Sequence, residues 1–400
     1  MISVDEALHI VLSRVAYLGS ERVRIDDAMG RVLAEDVRAD IDLPPFDRAR
    51  MDGYAVRSED ASVAPVRLRA AGEIAAGDLM TEKLRAGEAV KIFTGAPIPQ
   101  GADAVQKVEV TESDGETVLI KEAVRRGQFI TPRASEVAAG ETIARRGREI
   151  GPAEMAVLAS FGYSTVEVAR KPRAAVISTG SELVEVSAKP TAAQIRNSNS
   201  YTISSYAERA GAMVTNLGAV KDSFEDTRKA LAEASRSKDV VITSGGVSMG
   251  DYDLVKAALE DLGAEIFFDR VRIRPGKPTV FARLDDTFFF CLPGNPVSTS
   301  VTFNVFARTA LRRMQGEDDP LLPIVRAVVA HPISDSSSRR SFLPARLFIE
   351  EAQARAEPLK WGGSSDLVAF MRANALIIVP EEAHEIAEGE TADVLALARF

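Results

Sequence analysis

The sequence predicts a multidomain α/β plus β protein, and three observations carry that prediction. At 400 residues the chain exceeds what one hydrophobic core organises. From Arg173 to Met314 apolar strands alternate with amphipathic helices, the pattern of a mainly parallel sheet with helices on both faces. From Met51 to about Gly140, and again beyond Gly316, short β-like runs punctuated by turns predominate.

The elements follow in order. Ser3 and Glu6 have capping-box spacing, Val4, Ala7, Leu8, Val11, Leu12, Val15 and Leu18 recur at helical spacing, and Gly19 reads as the stop. A second helical stretch is expected around Asp27 to Ala34. Leu43-Pro44-Pro45-Phe46-Asp47 forbids helix and marks an exposed linker. Strands are expected at Val66 to Ala70, Ala89 to Phe93, Ala104 to Val110 and Thr117 to Lys121. Helix returns at Pro152 to Phe161, and residues 141–170 are expected to pack back on the N-terminal helices as one elongated unit. The α/β region reads as strands at Ala174 to Ile177, Val214 to Val220, Val240 to Thr243, Ala264 to Phe268, Thr279 to Phe281 and Thr287 to Leu292. Its helices are expected near Ser200 to Ala210, Ser223 to Ser235, Tyr252 to Leu262 and Pro296 to Met314. Strand-like runs at Ile324 to Ala330, Ala345 to Glu350, Ala375 to Val379 and Ala392 to Leu397, with little helix between, make a final β domain or barrel.

Composition narrows the function classes. No apolar run approaches the roughly 20 residues of a bilayer span, so no membrane span is expected. Met1 to Leu18 is an amphipathic helix rather than a basic stretch followed by an apolar core, which points to the cytoplasm. Cys291 stands alone and His9, His331 and His384 are scattered, so thiolate clusters, His-rich metal sites and Ser-His-Asp triads are disfavoured. A net charge of -9 without a basic block argues against nucleic acid. Oxygen chemistry is left, and an anionic substrate needs a local basic pocket.

Three turns follow apolar strands and open toward helices: Ser178-Thr179-Gly180, Ser244-Gly245-Gly246 and Pro293-Gly294-Asn295-Pro296. In a parallel sheet such strand ends gather at one edge, where small residues expose backbone amides to anions. Singly, each turn is equally a tight connection; together they point to a phosphate or oxyanion site. Pro296 suits the first helical turn, with the Asn295 side chain as its expected cap. Arg274-Pro275-Gly276-Lys277-Pro278 places two cations in a loop stiffened by proline, a candidate clamp against the alternative of a solvated basic turn. Asp52, Glu182, Asp222, Asp251 and Asp253 lie near glycine turns, as carboxylates do that hold Mg²⁺ on phosphates, although each is also open to being a cap or a solvated charge. Asp222 reads equally as a helix cap, because Glu225 sits three residues on.

The residues resemble the MoeA family, whose eukaryotic relatives include the gephyrin E domain. The resemblance runs almost end to end: Pro44-Pro45-Phe46-Asp47, Met51-Asp52-Gly53-Tyr54-Ala55, Thr94-Gly95-Ala96-Pro97, Gly101-Ala102-Asp103-Ala104-Val105, Ser178-Thr179-Gly180 and Ser244-Gly245-Gly246-Val247-Ser248-Met249-Gly250. It continues through Pro275-Gly276-Lys277-Pro278, Leu292-Pro293-Gly294-Asn295-Pro296-Val297-Ser298, Ser364-Ser365 and Ala373-Asn374-Ala375. It implies an elongated helical unit from residues 1–46 and 141–170, a β-rich domain of residues 47–140 inserted into it, a MoaB/MogA-like α/β domain of residues 171–316 and a β barrel of residues 317–400. It also implies a homodimer whose active site lies between the α/β domain of one subunit and the inserted domain of the other. The activity implied is molybdopterin molybdenumtransferase: adenylylated molybdopterin and molybdate react with a divalent ion, AMP leaves, and molybdenum remains on the dithiolene sulfurs. MogA-like adenylyltransferases and molybdoenzyme apoproteins or chaperones are the candidate protein partners.

By position, the resemblance assigns Asp52, Glu182, Asp222 and Asp253 to catalysis and metal, Lys277 to catalysis, and Thr94, Pro293, Pro296 and Ser298 to the site. It puts molybdate near Lys277-Pro278 and Ser298, with Arg339 or Arg340 and Ser364 or Ser365 from the barrel. Ala134-Ser135-Glu136 replaces a common glycine-glutamate-aspartate triplet, and Phe129, Thr131 and Pro132 partly replace the arginines and asparagine expected before it. Arg48-Ala49-Arg50 replaces Asn-Ser-Ala, and Arg274 stands where lysine is frequent. These departures bear on adenylate handling and leave room for tungstate. The alternative functions are a nucleotide-pyrophosphate hydrolase and a non-enzymatic gephyrin-like scaffold.

Overall fold

The computed structural model describes residues 1–246 and 254–397; Asp251, Asp253 and the start of the helix expected at Tyr252 lie outside them. The capping box forms: the Ser3 hydroxyl accepts the Glu6 N–H at 3.1 Å, and the Glu6 carboxylate accepts the Ser3 N–H at 2.7 Å. The helix, Val4–Arg14, stops short of Gly19, with Val15 already extended. Its buried stripe of Val4, Ala7 and Val11 joins the core of the α/β region, against the helical segment that ends at Met314.

Ser20–Arg24 then pairs antiparallel with Thr165–Ala169, and Val37–Arg38 with Thr142–Ala144, around Leu33, Val37, Ile150, Leu158 and Val168. The helix expected around Asp27 to Ala34 is instead a single 3-10 turn, Ile25–Asp27. Val32 and Leu33 form isolated bridges to Glu149 and Val168, so cross-chain pairing overrides the local helical spacing. Between these halves sits a six-stranded sheet, in the order Ala104–Lys107, Gly53–Val56, Glu88–Ile92, Val66–Ile74, Thr117–Ile120, Thr111–Ser113.

The α/β sheet runs Met213–Val220, Arg173–Thr179, Val240–Ser244, Thr287–Leu292, Val280–Leu284, Glu265–Phe268, its first four strands parallel. Both faces are covered, so its inner strands read as unbroken apolar runs. In Thr287–Leu292, Phe288, Phe290 and Leu292 enter one core and Phe289 and Cys291 the other. Phe281 stacks on Phe290 with centroids 4.7 Å apart. Each fully buried aromatic of this kind contributes about 2 kcal/mol or more.

Five C-terminal strands close into a barrel: Ile324–Val329, Thr391–Ala396, Ala375–Val379, Arg340–Glu350 and Gln353–Pro358, which returns to the first. Ile273–Arg274 pairs with Arg340 and Ser341 at its rim, bringing the Pro275–Pro278 loop to the barrel. Among the described residues no helix is long and apolar enough to cross a membrane.

Asp239, 8% exposed, opens the central strand Val240–Ser244. Burial pushes its carboxyl up, but the guanidinium groups of Arg170 at 2.9 Å and Arg173 at 3.1 Å, with the Arg173 N–H at 2.7 Å, outweigh that and hold it at about 2. The folded pKa lies below the ordinary 3.8, so this stabilisation is complete at neutral pH and is lost as pH falls from about 4 through about 2. Asp239→Asn should cost about 2 kcal/mol at pH 7 in urea unfolding, and its deficit should shrink as the pH approaches 2.

Candidate active site

The C-terminal ends of the parallel strands bring all three turns to one cleft of about 620 Å³. Thr179 and Gly180, Ser244 to Gly246, and Pro293 to Pro296 line it, with Glu182, Asp222, Pro278 and Ser365. Ser178 lies just beneath, 1% exposed, donating to the Asn197 side chain at 3.0 Å. Gly245 and Gly246 have φ of 92° and 68°; a Cβ would lie 2.4 Å from the Thr179 carbonyl in the first case and 2.6 Å from Val255 in the second. Only glycine fits that turn. The Thr179 hydroxyl behind it is buried with no hydrogen-bond partner among the described residues.

The two carboxylates of the cleft are held differently. A Cβ on Gly180 would lie 2.7 Å from a Glu182 carboxylate oxygen, so that side chain folds over its own turn. Asp222 does not cap its helix. Ser223 takes that place, accepting the Asp226 N–H at 3.1 Å, because the serine stands one residue nearer the first turn. Asp222 is left to accept the Ser181 N–H at 3.3 Å at the cleft wall. Neither carboxylate has an ion-pair partner among the described residues.

Asn295 is not a side-chain cap either. The Val297 N–H is satisfied by the Ser364 carbonyl at 2.9 Å, and the Asn295 amide donates to the Ser364 hydroxyl at 2.8 Å. Ser364 of this barrel-to-helix seam also lines a second depression of about 560 Å³. Pro278 walls both. The second depression gathers Arg274, Lys277, Ser298, Arg339 and Ser364, together with Asp335 and Trp361. Arg274 is ion-paired to Asp335, whereas Lys277 has no partner among the described residues. Arg339 donates to the Ile273 carbonyl at 3.2 Å. Arg340 turns away, bidentate to Asp5 at 2.6 and 2.7 Å.

Asp52 and Thr94 line neither depression of their own chain. The Thr94 N–H and hydroxyl, each at 2.7 Å, hold the Asp52 carboxylate below its usual range. Nearby, Glu136 pairs with Arg48 at 3.0 Å. Among the described residues no three His, Cys, Asp or Glu side chains form a metal cage.

Sequence reasoning missed Arg196, Asn197, Ser198 and Asn199, which line the cleft. Asn199 joins two turns, donating to the Ser244 hydroxyl at 2.6 Å and the Gly294 carbonyl at 2.7 Å. The unbroken polar run 196–199 before a helix was the available signal.

The MoeA N-terminal region (domain I and II) matches residues 2–162, a probable molybdopterin binding domain residues 175–313, and the MoeA C-terminal region (domain IV) residues 326–397. The molybdopterin molybdenumtransferase of Bacillus subtilis (strain 168) is 35% identical over 404 residues, spanning 99% of this chain and 94% of that protein. That of Staphylococcus aureus (strain MSSA476) is 32% identical over 398 residues, spanning 98% and 95%. The crystal structure of a molybdopterin biosynthesis MoeA protein from Pyrococcus horikosii superposes with a TM-score of 0.84 at 32% identity, covering 100% of both chains.

Proposed function

Because the chain belongs to the MoeA family, we propose that it is a molybdopterin molybdenumtransferase, moving molybdenum from molybdate onto adenylylated molybdopterin with release of AMP. One observation carries this reading: a cleft built from three strand-end turns and two carboxylates without an ion-pair partner among the described residues shares Pro278 with a depression that holds a lysine likewise unpaired among them. Such a pair of subsites suits two anionic substrates side by side.

The phosphoanhydride would lie along the cleft, where the Gly245 and Gly246 turn admits it and the Thr179 hydroxyl and nearby backbone amides can donate to its oxygens. Glu182 and Asp222 would hold a divalent ion such as Mg²⁺, which takes one or two carboxylates beside substrate phosphates and stabilises charge on the anhydride oxygens. Lys277, Arg339, Ser298 and Ser364 would hold molybdate. Arg274 would act at one remove, its charge balanced by Asp335. Asp52 and Thr94 would come from the second subunit of a homodimer, since neither reaches the cleft of its own chain.

Thorough chelation should abolish AMP release and added Mg²⁺ restore it, while Asp222→Asn, which removes charge but little volume, should reduce the rate about a hundredfold or more. Activity in chelator with metal removal verified would contradict the metal assignment. The function itself is tested by supplying adenylylated molybdopterin with and without molybdate or tungstate. Metalate-dependent AMP release is expected; release indifferent to both oxyanions would mark a nucleotide-pyrophosphate hydrolase.

A further inference from the structure

Trp361, the one tryptophan in the sequence, stands in the wall of the Lys277 depression. We propose that it is a metalate-binding residue, its indole N–H donating to an oxygen of bound molybdate. The proposal rests on the metalate subsite described above and names a donor that the sequence motifs do not contain.

The ring is held to do this. Its apolar body packs against the core shared by the α/β sheet and the barrel. The chain on either side is tied down: the Leu359 N–H donates to the Pro344 carbonyl at 2.9 Å, and the Gly362 N–H to the Asp366 carboxylate at 2.8 Å. Asp366 also caps Leu367–Met371 through the Ala369 N–H at 3.0 Å. The indole nitrogen has no hydrogen-bond partner among the described residues and is not sealed from solvent. A tryptophan with a packed body and a wet, unpaired polar edge is arranged to donate.

The other polar groups explain what would accept. Lys277 and Arg339 are donors only. Ser364 accepts from Asn295, which leaves its own O–H available to donate. A small tetrahedral dianion, which presents acceptors on every side, satisfies all of these at once. Indole nitrogen and lysine would then read the same ion, one by direction and the other by charge.

With a single tryptophan, emission reports this site alone. Molybdate, and separately tungstate, titrated into the full-length protein should change that emission saturably, with a midpoint at least tenfold higher in Lys277→Gln. Trp361→Phe keeps an aromatic ring and removes the donor. It should raise the molybdate needed for half-maximal AMP release roughly five- to tenfold while leaving the adenylate requirement unchanged. Emission that ignores molybdate at concentrations saturating AMP release would overturn the proposal, whether or not the variant folds. So would a folded Trp361→Phe protein with wild-type molybdate dependence. AMP release that is indifferent to molybdate in the wild-type protein would instead remove the metalate subsite on which the proposal stands.

Discussion

Replacing Lys277 with glutamine should raise the molybdate concentration for half-maximal AMP release roughly ten- to a hundredfold, with little change in the adenylate requirement. The magnitude is that of one hydrogen bond to a charged group, about 1.5–3 kcal/mol, lost from a site with few other cations. Arg274 cannot substitute, because Asp335 already holds it. Arg340 cannot either, because Asp5 does. Arg274→Lys should therefore be mild, changing the loop's anchor on Asp335 more than the charge offered to the oxyanion. The check is a molybdate titration at saturating adenylate for each variant. A Lys277→Gln enzyme with the wild-type curve would place the metalate elsewhere.

Asp52→Asn and Asp222→Asn enzymes should each be nearly inactive alone, yet regain about a quarter of wild-type activity when mixed and allowed to exchange subunits. In a symmetric dimer with shared sites, random exchange makes half the molecules heterodimers, and each heterodimer has one site carrying both substitutions and one carrying neither. The structural ground is that Asp222 lines the cleft while Asp52, pinned by two Thr94 hydrogen bonds, lines neither that cleft nor the adjoining depression of its own chain. Mixed subunits that verifiably exchange but regain nothing would show that the two carboxylates act in the same chain or not at all.

Where chemistry is local, residues and structure agree. The Ser3 and Glu6 capping box forms because three-residue spacing fixes its geometry, and Thr287–Leu292 is legible because a strand buried on both faces has no polar alternation. The three glycine-bearing turns converge because parallel topology leaves their strands no other place to end. Features set by distant partners are hidden. Asp222 and Asn295 carry sequence signals of helix caps; a serine one residue later displaces the first, and a barrel loop some seventy positions away takes the second. Val32 and Leu33 have helical spacing, yet pair with Glu149 and Val168 across the chain. Trp361 becomes part of a cationic depression only because Ile273–Arg274 adds to the barrel rim and carries Lys277 there.

The measurement that bears most directly on two adjoining anion subsites is the ratio of molybdenum bound to pterin product per AMP released, in wild-type enzyme and in Lys277→Gln at limiting molybdate. Coupled subsites predict a ratio near one in the wild type, and in the variant a fall in both quantities together. AMP appearing at the full rate with little molybdenum on the pterin would contradict the account, because anhydride cleavage would then proceed without the neighbouring oxyanion.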